Sequence, residues 1–146
     1  MIWQGFSLID GHRALATATP DTVTAGDTVL RITSDNPVKF RAFDVTSGDE
    51  YELRKAGITV SRYAADCAGS HYTLRRAGLR RDIRDASGEL VAVVRGHASG
   101  DLEVDVAEPT LRVGGFGELE LVDLAFMTWG LTFVDAPARR TRYARC

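Results

Sequence analysis

A chain of 146 residues suits one domain and leaves no length for a second core. At this size about 68–70% of the surface of the unfolded chain is buried on folding, so no metal or disulfide staple is required. A formal net charge of −2, with 45% hydrophobic and 26% charged residues, argues against a generic nucleic-acid binder, which is usually basic overall.

The opening segment MIWQGFSLIDGHR lacks a basic stretch followed by a long apolar run. No signal peptide is expected, and cytoplasm is the default location. The strands read from Thr28 onward. Thr28–Thr33 is the first, and Val38–Val45 (VKFRAFDV) the second. In that second strand the inward face passes from Val38, Phe40 and Ala42 to Phe43 and Val45, which predicts a bulge near Ala42. Glu50–Lys55 alternates with Tyr51 and Leu53 inward, and strands follow at Ile58–Tyr63, His71–Arg76, Leu79–Asp85 and Glu89–Arg95. Asp101–Ala107 (DLEVDVA) is the cleanest, with Leu102, Val104 and Val106 on one face and Asp101, Glu103 and Asp105 on the other.

Ser47-Gly48, Ala77-Gly78 and Ser87-Gly88 each supply a residue tolerant of positive φ between two such runs, as tight antiparallel turns require. FDVTSGDEYELR and DIRDASGELVAVVR read as one hairpin written twice, through duplication or through convergent turn chemistry.

Glu118–Val134 (ELELVDLAFMTWGLTFV) breaks the pattern. Leu119, Val122, Phe126, Trp129 and Phe133 fall at helical spacing, while Leu121, Leu124, Met127, Leu131 and Val134 cover the other sides. A helix apolar nearly all round is a buried one. Gly114–Gly117 (GGFG) lets the chain turn into it, and Asp135-Ala-Pro137 stops it. At about 25 Å it falls short of a membrane span, and it carries Asp123. Trp129, Leu131 and Phe133 also alternate, which leaves a pair of strands open. Trp129 is expected in the middle of the core, with Gly130 relieving crowding beside it. Residues 28–134 form the expected core, and 135–146 a basic tail.

Several strands followed by one all-round apolar helix resemble the tubby C-terminal-like superfamily, and within it the LURP-one-related and phospholipid scramblase-like proteins. The residues that carry the likeness are YTLRRAGLRRDIRDASGELVAVVRG (Tyr72 to Gly96), FDVTSGDEYELR upstream, DLEVDVAEP, and LVDLAFMTWGL. The resemblance covers residues 38 to 134. It implies a mostly β fold, a closed antiparallel β-barrel around one buried hydrophobic C-terminal helix, and closure removes the exposed strand edges. This chain is short for the family, residues 108–117 look like an insertion, and the Arg-rich tail is not a family feature. No phosphoinositide- or calcium-binding motif of the family maps onto residues here.

Candidate chemistry is sparse. His12, His71 and His97 lack the paired spacing of a metal site, so neither metal nor cofactor is expected. Cys67 and Cys146 form no ligand or redox motif and read as free thiols of a reducing compartment. Cys67 near His71 invites a thiol-nucleophile reading, opposed by the turn at Gly69-Ser70. GGFG lacks the Lys and Ser/Thr of a phosphate loop. Asp123, buried in an apolar helix, must meet an arginine, accept N–H bonds or sit where the helix emerges.

Charge is uneven. Arg75, Arg76, Arg80, Arg81 and Arg84 stand against Asp82 alone, and Arg139, Arg140, Arg142 and Arg145 form a second basic group. Between them Asp101 to Asp123 holds seven acids and only Arg112. These arginines are either a solvated face balanced by an acidic strand or a binding surface for anionic lipid headgroups or a protein partner. The cations are 16 Arg and two Lys, among many Ala, Gly, Val and Asp, as in proteins of GC-rich bacterial genomes. The expected function is a non-enzymatic binding module, cytoplasmic or peripheral at the membrane, with no specific nucleic acid and no transmembrane span. A structural component of a larger complex is the alternative. An enzyme using Cys67 or Asp123 is the third reading.

Overall fold

Alternation of buried and exposed side chains runs through twelve antiparallel strands that pair in chain order and close on themselves. The computed structural model describes residues 1–56, 62–97, 101–106, 111–112 and 119–134. The strands are β1 (Ile2–Gln4), β2 (Ser7–Asp10), β3 (Arg13–Ala18), β4 (Thr22–Ala25), β5 (Thr28–Asp35) and β6 (Lys39–Asp44). They continue with β7 (Glu50–Lys55), β8 (Arg62–Cys67), β9 (Ser70–Ala77), β10 (Arg80–Arg84), β11 (Leu90–Gly96) and β12 (Leu102–Val106). Pairing of Ile2 with Glu103 and Trp3 with Leu102 closes the barrel, so no edge strand among these is left unpaired. A short parallel pair, β13 (Leu111–Arg112) with β14 (Leu119–Glu120), lies outside the barrel sheet and leads into helix α1 (Leu121–Val134).

The closed antiparallel barrel with a buried C-terminal helix agrees with the sequence reading, but three local expectations shift. The barrel begins at Ile2: four strands precede Thr28. The face switch expected at Ala42 does not occur on that strand: Phe40 and Ala42 are inward, and Val38 and Val45 lie exposed in the flanking turns. The extra residue is Thr33 on the neighbouring β5, since Ile32 pairs with Ala42 and Ser34 with Arg41. The helix expected from Glu118 begins at Leu121, because Leu119 and Glu120 pair as β14. Of the strand expected at Ile58–Tyr63, the described Arg62 and Tyr63 both lie in β8, where Tyr63, Ala65 and Cys67 face inward. Residues 57–61 lie outside the described residues, as do Gly114–Gly117 and the tail from Asp135 onward.

Both copies of the proposed hairpin use the same turn chemistry. Asp44 Oδ1 accepts from the Thr46 N–H at 2.8 Å, and Asp85 Oδ1 accepts from the Ser87 and Glu89 N–H groups at 3.0 Å. Gly48 and Gly88 follow with φ of 80° and 91°, a region costly for any residue with a Cβ. This local side-chain-to-backbone bonding is why Asp followed by Ser-Gly reads as a turn.

Helix α1 runs through the barrel. Twelve of its 14 residues are buried, and it meets inward side chains from β1, β6 and β9 as well as the walls of β3 to β7. Its threonines enter this apolar space because their hydroxyls are satisfied within the helix: Thr128 donates to the Leu124 carbonyl at 2.8 Å and Thr132 to that of Trp129 at 2.6 Å. Trp129 is central, 5.1 Å from Trp3 between ring centres, and Phe133 stacks on Phe40 at 5.1 Å. Gly130 faces Phe40 and Leu53 so closely that a Cβ there would stand 2.7 Å from Phe40 Cδ2. No helix among the described residues is long and apolar enough to cross a membrane.

The helix gives the barrel two distinguishable ends. Leu121 enters beside Gly26 and Asp27 in the β4–β5 turn, at the end that also holds the β6–β7, β8–β9 and β10–β11 turns. The helix leaves at the opposite end, which carries the β1–β2, β3–β4, β5–β6, β7–β8, β9–β10 and β11–β12 connections.

Candidate functional site

Antiparallel pairing puts residues from distant hairpins side by side, and at the helix-exit end it does so with arginines. Arg62 of β8 stands opposite Arg75 of β9, Arg76 of β9 opposite Arg81 of β10, and Arg80 of β10 opposite Arg95 of β11. Lys39 and Lys55 flank this arc on β6 and β7. The described acids at that end are Asp21, Asp35, Asp101 and Glu103; Glu103 stands opposite Arg95 on its other side, as Asp82 does opposite Arg75. Like charges directly opposite one another destabilise a sheet; on the outer face the pairs Arg62/Arg75 and Arg80/Arg95 carry that cost, offset in part by Asp82 and Glu103 on the next strands.

Compensation is incomplete. Arg80 Nε meets Asp82 Oδ1 at 2.7 Å and Lys39 Nζ meets Glu52 at 3.3 Å. Arg62, Arg75 and Arg95 are exposed and make no ion pair among the described residues.

The five arginines between Arg75 and Arg84 are therefore not one patch. Arg75, Arg76 and Arg80 gather at the exit end. Arg81 is fully buried: it shares inward parity with Ile83, and its Nη1 donates to the Leu79 carbonyl at 2.7 Å. Burial removes it from any exposed surface. Arg84 lies at the entry end, where its Nη1 braces the β10–β11 turn through the Gly88 carbonyl at 3.1 Å. Arg139, Arg140, Arg142 and Arg145 lie outside the described residues. Arg62 and Arg95 are additions that linear charge counting missed, because each is an isolated cation in its own segment. Their strand-terminal positions beside turns at the same end were the available signal.

The entry end has the opposite character. Asp10, Asp27, Asp44, Asp49, Glu50, Asp85 and Glu89 lie in or beside its turns, against His12, Arg13 and Arg84. Part of this acidity is structural. The Ser87 hydroxyl and the backbone N–H groups of the turn hold the Asp85 carboxyl below the usual range.

Cys67 and His71 face opposite sides of the barrel wall. Cys67 is a free, buried thiol whose pKa is pushed up, first by burial and then by the charge of Asp123, which disfavours the thiolate. His71 is on the outer wall, hydrogen-bonded to Asp66, and Arg54 reaches the same carboxylate at 3.1 Å. Asp123 meets no arginine among the described residues: the hydroxyl of Tyr72 donates to its Oδ2 at 2.8 Å instead. Burial pushes its carboxyl up to about 7, opposed by the Tyr72 bond and reinforced by Glu120. No group of three or more His, Cys, Asp or Glu among the described residues is arranged to hold a metal ion.

The chain matches no protein-family model, no curated protein and no solved structure.

Proposed function

We propose that the chain is a non-enzymatic binding module that takes an anionic partner, a lipid headgroup or an acidic protein, against the helix-exit end of its barrel. The observation that carries this reading is the set of cross-strand arginine pairs Arg62/Arg75 and Arg80/Arg95, exposed and only partly neutralised. Mutual repulsion within the set is relieved when an anion sits across it, so binding recovers a cost that folding leaves in place. The barrel's interior is taken up by α1, and the thiol of Cys67 is sealed and hard to ionise, which further favours binding over catalysis. Kinship with the tubby C-terminal-like superfamily belongs to the same proposal, supported by twelve strands in chain order around one C-terminal helix. So does a cytoplasmic, membrane-peripheral location.

Retention on heparin resin tests it. A protein of net charge −2 should bind this polyanion at low salt and elute as salt screens the contact. Combining Arg62→Gln, Arg75→Gln and Arg95→Gln should move elution to lower salt without lowering the melting temperature. Flow-through of the unaltered protein at low salt would overturn the proposal.

A second reading rests on the acidity of the entry end. Opposite charges on the two ends suit head-to-tail assembly of copies, as in a structural component of a larger complex. Light scattering at high protein concentration should then show particle size falling as salt rises; one monomeric species at every salt excludes it.

A further inference from the structure

Among the described residues, three of the four exposed large apolar side chains sit on the helix-exit end. Phe6 (47% exposed) is in the β1–β2 turn, Val38 (62%) in the β5–β6 turn and Leu79 (59%) in the β9–β10 turn. The fourth, Val45, lies at the other end. The turns do not require these side chains. Gly78 supplies the positive φ before Leu79, and Asn36 Oδ1 holds the β5–β6 turn through the N–H groups of Val38 and Lys39. Leu79 stands between Arg76 and Arg80, and Val38 directly precedes Lys39. Val38 and Leu79 thus project beside cations, and Phe6 completes the rim on the side where β12 brings Glu103.

We infer that this end docks on an anionic bilayer, with Phe6, Val38 and Leu79 entering the interfacial layer and Arg62, Arg75 and Arg95 meeting lipid phosphates. The inference rests on the anion-binding reading above and names the partner. A protein partner is engaged best by a contiguous, desolvated cluster of anchors. Here the tips are on three alternate hairpins around a rim, separated by charged strand ends, an arrangement that fits a fluid, planar surface able to receive each tip separately. Juxtaposed cations gain from the negative surface potential of such a leaflet. Helix α1 also ends at this rim.

Flotation with phosphatidylcholine–phosphatidylserine vesicles, against pure phosphatidylcholine, tests it. The full chain should float with the anionic vesicles only. Because Phe6 touches Trp129 at 5.6 Å, it is left intact, and Val38→Gln with Leu79→Gln is the informative variant. That variant should lose at least about tenfold in vesicle affinity, keep its melting temperature and keep its heparin retention, while Val45→Gln changes nothing. As a second measurement, Leu79→Trp should be quenched by brominated lipid more strongly than the unaltered protein. Heparin retention without flotation would overturn the membrane inference and leave the anion-binding reading standing, pointing to an acidic protein. Full vesicle affinity in the Gln variant, with no added quenching of Leu79→Trp, would overturn insertion of the tips.

Discussion

Tyr72 donates its hydroxyl to Oδ2 of Asp123 at 2.8 Å, which ties β9 to the first turn of the central helix inside the barrel. Tyr51 and Cys67 lie near enough for the Asp123 charge to help raise their pKa values. For all three of Tyr51, Tyr72 and Cys67, burial is the first cause of the upward shift and Asp123 the second. This pocket resists negative charge, and the carboxyl is its weakest point.

The consequence for stability has a definite sign. Asp123 is pushed from its ordinary 3.8 to about 7 in the folded protein. Below the lower value both states are protonated and the group costs nothing. Between the two values the unfolded chain ionises while the folded one holds its proton, so stability falls as pH rises, and levels off above about 7. A shift of this size corresponds to on the order of 4 kcal/mol. Asp123→Asn keeps an oxygen for Tyr72 and removes the ionisation. Urea unfolding should therefore show the variant gaining on the unaltered protein from pH 4 to pH 7; a constant difference across that range would contradict the buried carboxyl.

Gly130→Ala sets two effects against each other. Alanine is the better helix former by about 1 kcal/mol. Its Cβ, however, would stand 2.7 Å from Phe40 Cδ2 and 2.9 Å from Leu53 Cδ2, and Phe40 is itself pinned between Phe126 and Phe133. Overpacking of this kind costs about 1–3 kcal/mol, so the net effect is destabilising. Adding Phe40→Leu should recover part of the loss, measured by chemical denaturation.

Those two positions mark what sequence could and could not provide. Helix α1 was readable because an all-round apolar segment has nowhere to go but a core, and Gly130 was readable as the residue beside the bulkiest of its side chains. The partner of Asp123 was not, since Tyr72 is 51 residues away and nothing local links them. Strands β1 to β4 escaped because their inward positions are often small. Ala16, Ala18 and Ala25 line the wall that α1 packs against, and alanine gives little contrast with its Thr neighbours. The alternation Arg81–Ile83 did mark Arg81 as inward, but counting cations along the chain obscured it. The basic rim itself arises from register between hairpins, which no single segment records.

Trp129 anchors the core and Trp3 connects it to the barrel seam, its Nε1 donating to Thr128 Oγ1 at 2.7 Å. Truncating Trp129 to Ala should cost about 3–5 kcal/mol, seen as loss of soluble expression or a large drop in melting temperature. In a Trp3→Phe background the remaining Trp129 emission should be blue-shifted in the folded state and move red on unfolding. Emission already at the wavelength of tryptophan in water would mean that α1 is not enclosed.

Arg62 offers a test in which stability and binding move in opposite directions. Its side chain is exposed, and its cross-strand neighbour Arg75 shares its charge. Arg62→Glu turns that repulsion into attraction, worth about 0.2–1 kcal/mol in a sheet. The variant should therefore melt at the same temperature or slightly higher, while eluting from heparin at lower salt than the unaltered protein. A residue kept only to solvate the barrel wall would show the first effect without the second. If Arg62→Glu instead lowers the melting temperature and leaves heparin elution unchanged, the arginine pair supports the fold and the rim is not the binding surface.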